Sequence, residues 1–427
     1  MNLSPLKKQL LYFLKHNKKA LMILYLTWGL YFLIFWPNML YFNASGDLVA
    51  GWRNIWGDWA MHLSQTQAFV SQPIPYVLTH NPIYVNAPIS YPFVINLISA
   101  LLIRIGLNLV PAMIVPSIIF SLLLLLSLFI LGKSIKYSNT QIILAITFFL
   151  TSGGLGFYYF FSDFVSHPTL SSLMYPLREY THLKDLGYYW TTTLLAFLVP
   201  QRAFLLGIAF GSLILAYLIY HYQQNFKNLK AKHFFITGLT VGLLAYIHTH
   251  TLIVFTLIVG WLALWSLSKY VYWLYLLLGT CLTAVPFLLF FSSQNMAHYF
   301  WLLPGWLSNP KELNMFVVWF WLKNWGFLLP SAFIGYFLCK HIIQKIIIGG
   351  FSLIFVLANL IVFQPSSWDN AKLLLWVYLM LSFPAAVLIT TLWNKDFLGK
   401  ACAVLLCFIL TASGGLDLIR VLNTNRE

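Results

Sequence analysis

The chain has 427 residues, of which 60% are hydrophobic, 18% aromatic and only 8% charged. Soluble globular chains carry roughly 25% charged residues, and a mean hydropathy of +0.79 excludes that class. The net charge of +15 does not signal nucleic acid, because the basic residues gather in short stretches between apolar runs, which is the positive-inside pattern of membrane proteins.

Repeated apolar runs of near-membrane length fit helices crossing a hydrocarbon core of about 30 Å, and the weak ten-residue alternation of a transmembrane barrel is missing. The expected fold is all-α: a polytopic transmembrane helical bundle with about 11 spans. Lys7, Lys8, Lys15, Lys18 and Lys19 precede the first span, 20–37. No small-residue cleavage site follows it, so this helix reads as retained. An outer loop then covers 38–108. Within it, 59–70 reads as an interfacial helix and 91–106 as a second, shallow or re-entrant one. Arg104 is tolerable at the interface and costly at mid-bilayer.

The second span, 109–132, returns to Lys133 and Lys136, and the third, 141–161, leads out to a second loop, 162–201. Span 202–222 comes back to Lys227, Lys230 and Lys232. Spans 234–248 and 252–267 form a tight pair hinged on His248-Thr249-His250, and 270–291 goes out again. A third outer loop, 292–314, leads to an interfacial helix over 315–325. Spans 326–340, 347–363, 372–393 and 401–413 complete the chain. The N-terminus falls in the cytoplasm and the C-terminus outside. The chain reads as one transmembrane domain, 1–427. Residues 1–140 are its N-terminal module and 141–427 the remaining helices, with no separate soluble domain. The four cysteines lie in apolar runs and imply no disulfide framework.

Ten acidic residues are present, and this topology puts all but Asp396 outside, Glu312 and Glu427 among them. Asp58, in Trp56-Gly57-Asp58-Trp59-Ala60-Met61-His62, opens the first interfacial helix. It can cap that helix, or act as a base at the membrane boundary. His62 shares its face one turn on. Asp47 sits in Asn43-Ala44-Ser45-Gly46-Asp47, where turn chemistry accounts for it; the alternative is a second catalytic carboxylate. In the second loop, Asp163 is a candidate for acceptor binding or a second carboxylate, and Arg178 for phosphate. Arg202 stands at the mouth of a span, where a cation requires an anionic partner. A phosphate suits a guanidinium. Trp368-Asp369-Asn370-Ala371-Lys372 is either an interfacial anchor with a snorkelling lysine or part of the same outer cavity. A divalent metal is left open: Asp58 with His62 supplies too few ligands to define a site, and His248 with His250 reads either as zinc ligands or as a hydrogen-bonded interfacial turn.

The stretch "HNPIYVNAPISYPFVINLISALLIRIG", followed by "LVPAMIVPSIIFSLLLLLSLFILGKSIK", comes soon after the acidic start of the interfacial helix. Residues 20–140 thereby resemble the N-terminal module of the GT-C glycosyltransferases, which include protein O-mannosyltransferases, aminoarabinose transferases and their prokaryotic relatives. Ala87-Pro88-Ile89-Ser90-Tyr91-Pro92 is similar to their Pro-Pro-Leu-Tyr segment. "LVPQRAFLLG" and "PSSWDNAKLLLW" are similar to uncharacterised prokaryotic membrane proteins of this class. The resemblance implies a polyprenyl-phosphate sugar donor, chemistry on the outer face of the cytoplasmic membrane, and Asp58 as the catalytic carboxylate. Arg202, with Arg178 or Lys372, would then hold the donor phosphate. Two departures stand out: Trp59 follows Asp58 where many relatives have Glu, and the C-terminal soluble domain of many members is missing, which leaves open a partner subunit that supplies one. The competing readings are a lipid or sugar transporter, which would carry charges in mid-span, and a catalytically silent subunit.

Overall fold

The computed structural model describes residues 12–52, 55–84, 87–89, 91–227, 229–292, 301–307, 317–363 and 367–423. Glu312, Glu427, Lys7 and Lys8 lie outside them. Helix dominates, and the described strands form only two small antiparallel pairs. The first span, α1 (Lys18–Asn38), contains a π-helical turn at Tyr25–Gly29. A hairpin follows, β1 (Leu40–Phe42) with β2 (Leu48–Ala50). Next come α2 (Trp56–Ser71), α3 (Ile74–Thr79) and α4 (Val94–Arg104). These confirm helices where the first loop was expected to hold interfacial ones. Arg104 donates to the Gln72 carbonyl at 3.0 Å, so its charge closes the end of α2 and avoids the bundle interior.

The remaining helices are α5 (Leu109–Ser134), α6 (Asn139–Leu150), α7 (Phe157–Ser166), α8 (Arg202–Gln223), α9 (Ala231–Ile247) and α10 (Thr249–Leu264). They continue with α11 (Tyr270–Ser292), α12 (Val317–Trp325), α13 (Leu328–Leu338), α14 (Ile342–Leu360), α15 (Ser367–Trp393) and α16 (Phe397–Asn423).

All eleven expected apolar segments are helical, but they are not equal. Among the described residues seven helices are long and apolar enough to cross a membrane, or eight if α12 and α13, bent by 88°, form one broken span. Helices α6, α9 and α10 are shorter. The expected span 141–161 divides because Ser152-Gly153-Gly154 cannot sustain a helix: two glycines lose the most backbone entropy. The Leu155 amide is taken by the Lys323 carbonyl at 2.9 Å.

The core centres on α15, whose most apolar stretch is 94% buried, against 28% for the span 267–290 and 33% for α16. Helices α6, α13, α14 and α16 surround it. Gly335 on α13 lets the Pro384 carbonyl of α15 approach so closely that a Cβ would collide with it. Gly238 on α9 and Gly279 on α11 meet in the same way. Lipid gives little hydrophobic drive for helices to associate, so close backbone approach at small residues matters more there.

Candidate active site

Helix α2 turns two faces to different surroundings. Asp58, in its first turn, is half-buried. Trp59 and His62 are buried. The His62 ring is held on both sides, Nδ1 to Asn96 Oδ1 at 2.9 Å and Nε2 to the Pro200 carbonyl at 3.0 Å. Burial and the nearby Arg202 push its pKa down to about 4 against those two hydrogen bonds, so the ring is neutral at pH 7. A neutral ring has one N–H, and only a donor can meet the Pro200 carbonyl. Nε2 therefore carries the proton, and Nδ1 accepts from an Asn96 amide turned nitrogen-first, which in turn requires the Gln65 amide, 2.6 Å away, to donate to Asn96 Oδ1.

Asp58 instead faces a cavity of about 710 Å³. Its wall also includes Trp52, Glu179, His182, Gln201 and Asp369, contributed by segments far apart in the sequence. Lys372, one turn beyond Asp369 on α15, is buried and bridges to Asp369 Oδ1 at 2.5 Å. The Asp58 carboxyl is pushed up to about 6: burial raises it, the Lys372 ammonium draws it back, and Asp369 repels the charge. It is thus ionised in part just below neutrality and able to take a proton, as a base of matched pKa must be.

The wall is fixed from behind by groups the sequence reading did not single out. Asp417 of α16 is fully buried. It accepts from the Tyr180 and Thr181 amides at 2.6 and 3.1 Å and from the Thr181 hydroxyl at 2.5 Å. That anchors the segment presenting Glu179. Asn324 of α12 accepts from the Tyr189 and Trp190 amides at 2.7 and 2.9 Å and donates to the Gly187 and Phe320 carbonyls. Its amide is fully used in holding Trp190 against the cavity. A π-helical turn, Leu194–Leu198, contributes Leu195 and Ala196 to the lining; such turns often sit at functional sites. Among the described lining residues, Trp52 Nε1, Trp190 Nε1, Thr191 Oγ1 and Gln201 Oε1 are enclosed polar atoms with no hydrogen-bond partner.

Not every candidate converges here. Asp58, Asp369 and Lys372 do. Asp47 lies in the β1–β2 turn, exposed, where Asn43 Nδ2 donates to its carboxylate at 3.1 Å and its amide binds Asn43 Oδ1 at 2.8 Å. The turn reading accounts for it. Arg178 and Asp163 bind each other through a two-pronged pair at 2.7 and 2.8 Å, with the Tyr180 hydroxyl donating to the same carboxylate; neither lines the cavity. Although burial raises the Asp163 carboxyl, those bonds hold it below the usual range.

Arg202 departs most from expectation. It is fully enclosed, and its guanidinium donates to Ser117 Oγ at 3.1 Å, Ser99 Oγ at 2.8 Å and the Met113 carbonyl at 2.8 Å. Trp59 covers it at 5.7 Å. Neutral oxygens and an aromatic face replace the expected anion. For the metal left open by the sequence, no group of three or more His, Cys, Asp or Glu side chains among the described residues is arranged to hold an ion. His248 caps α10 through Thr251.

No family model, no curated protein and no solved structure matches the chain.

Proposed function

We propose that this protein is a membrane glycosyltransferase of the GT-C type, moving a sugar from a polyprenyl-phosphate donor to an acceptor hydroxyl at the outer face of a prokaryotic cytoplasmic membrane. One observation carries the reading: the first-loop carboxylate, Asp58, faces a cavity beside the ion pair that buried Lys372 makes with Asp369. In the proposed step the acceptor O–H gives its proton to Asp58 while its oxygen bonds to the anomeric carbon. The bond from that carbon to the phosphate oxygen breaks, and the electron pair leaves with polyprenyl phosphate. Lys372, with Lys184 on the cavity wall, offsets the charge growing there. Inversion through a single displacement is what the resemblance implies. Arg202 belongs to the scaffold behind Trp59 in this reading.

The same proposal counts eleven crossings, taking α6, α9 and α10 as short spans and α12–α13 as a broken one, with the N-terminus in the cytoplasm. It treats residues 1–140 as the module that carries the catalytic loop. The test is release of polyprenyl phosphate from a panel of polyprenyl-phosphate-linked hexoses and pentoses, using protein in liposomes. Asp58→Asn keeps the side-chain size and removes the base. It is expected to lower turnover at least about 100-fold at equal protein level and with thermal stability no lower than wild type. Near-wild-type turnover of the variant would end the assignment of Asp58.

A further inference from the structure

A second large cavity, of about 780 Å³, lies at the other end of α15. Ala371 lines the Asp58 cavity and Ile389 lines this one. Eighteen residues of helix separate them, about 27 Å at 1.5 Å per residue. The second cavity has two chemically distinct halves. Leu144, Leu338, Val387, Ala403 and Val404 make one half apolar, while Lys136, Gln141, Lys340, His341, Gln344 and Asn394 make the other polar and basic.

The rim of the apolar half is open. Leu338, Trp393 and Val404 are exposed large apolar residues, continuous with the exposed faces of α13 and α16. At the basic half, the first turns of α6 and α14 converge, since Ser138 and His341 are their N-caps. Lys136 and Lys340 are exposed, and among the described residues neither has an acidic partner. Asp396, the acid expected at this end, accepts from the Gly399 amide at 2.9 Å at the start of α16. A soluble anion would use the basic half and leave the apolar half empty. A sterol or hydrocarbon would do the reverse. A molecule with a phosphate at one end and an acyl chain at the other matches both halves.

We infer that this cavity is a binding site for an anionic phospholipid, with the headgroup phosphate between Lys136 and Lys340 and an acyl chain along Leu338, Ala403 and Val404. It stands apart from the transfer reading, because it lies at the other end of α15 and its test reads lipid retention alone. The probes are phosphatidylglycerol, phosphatidylcholine and inorganic phosphate. Native mass spectrometry of protein released from nanodiscs of each lipid is expected to show phosphatidylglycerol retained in preference to phosphatidylcholine. Lys136→Gln with Lys340→Gln should weaken that retention about 30-fold, each surface lysine being worth about fivefold. Lys395→Gln with Lys400→Gln removes the same charge beside the cavity but not from its wall, and should change little. Val404→Trp, placed at an exposed position, should lower retention by narrowing the apolar half, so the inference does not hang on the lysine variant alone. Equal retention of the two lipids, or undiminished retention in the Lys136/Lys340 variant, would overturn it. So would displacement of the lipid by millimolar inorganic phosphate, which would make this a site for free phosphate.

Discussion

Replacing Arg202 by lysine separates the two roles available to that residue. The guanidinium spans three acceptors, Ser99 Oγ, Ser117 Oγ and the Met113 carbonyl, at 2.8 to 3.1 Å. A lysine keeps the charge but concentrates its donors at one nitrogen, so at most one of the three bonds keeps good geometry. A hydrogen bond to a charged group contributes about 1.5–3 kcal/mol in water-soluble proteins. Side-chain bonds between helices in lipid average about 0.6 kcal/mol. Two lost bonds therefore cost between about 1 and 6 kcal/mol, and full enclosure of the guanidinium places the expected loss near 3 kcal/mol. The assay is reversible unfolding of the purified protein by sodium dodecyl sulfate in mixed micelles, with donor affinity measured on the same preparation. In a background of Ser99→Ala and Ser117→Ala, the same replacement should cost much less, because the bonds it removes are already gone. Stability within about 0.5 kcal/mol of wild type, together with weakened donor binding, would refute the structural role and return Arg202 to the phosphate.

Other outcomes follow from the same geometry. With Asp58 pushed up to about 6, a base there is ionised only above that pH, so turnover should rise from pH 5 to 7 with a midpoint near 6; a profile flat across this window would remove Asp58 as the titrating group. The sign for folding is opposite: the folded protein holds that proton more tightly than the unfolded chain, so the contribution of Asp58 to stability falls as pH rises from about 4 to 6. Asp58→Asn should abolish both dependences. Arg178→Gln breaks an exposed pair and should cost less than about 1 kcal/mol with turnover unchanged; a large loss of turnover would place Arg178 at the donor. Cysteines introduced at Ser45 and Lys227 should react with an impermeant thiol reagent on opposite sides of sealed vesicles, and labelling of both from outside would overturn the proposed orientation.

The helices were legible because apolar run length is a local property. Asp58 stood out because a carboxylate opening a helix among tryptophans is unusual wherever it folds. Its convergence with Lys372 and Asp369 went only as far as an alternative reading, since nothing local tells which side of a helix start meets a distant loop. The surroundings of Arg202 were hidden for the same reason. Its three acceptors lie on α4 and α5, some 85 to 103 positions earlier, and two are ordinary serines that carry no signal. Asp417 and Asn324 were passed over because each binds backbone amides, which every sequence contains. The break in 141–161 could have been found: Gly153-Gly154 was visible, and the apolar run on either side outweighed it.

The near-complete burial of α15 has a consequence for how the protein is made. A helix that touches almost no lipid in its final place cannot find that place until its neighbours α6, α13 and α14 are already in the membrane. During synthesis, the groove at Gly335 that receives the Pro384 carbonyl is empty until residues 367–393 emerge. Ribosome-bound chains that stop short of residue 367 should therefore be unusually prone to quality-control proteolysis, and co-expression of 367–427 as a separate fragment should protect them.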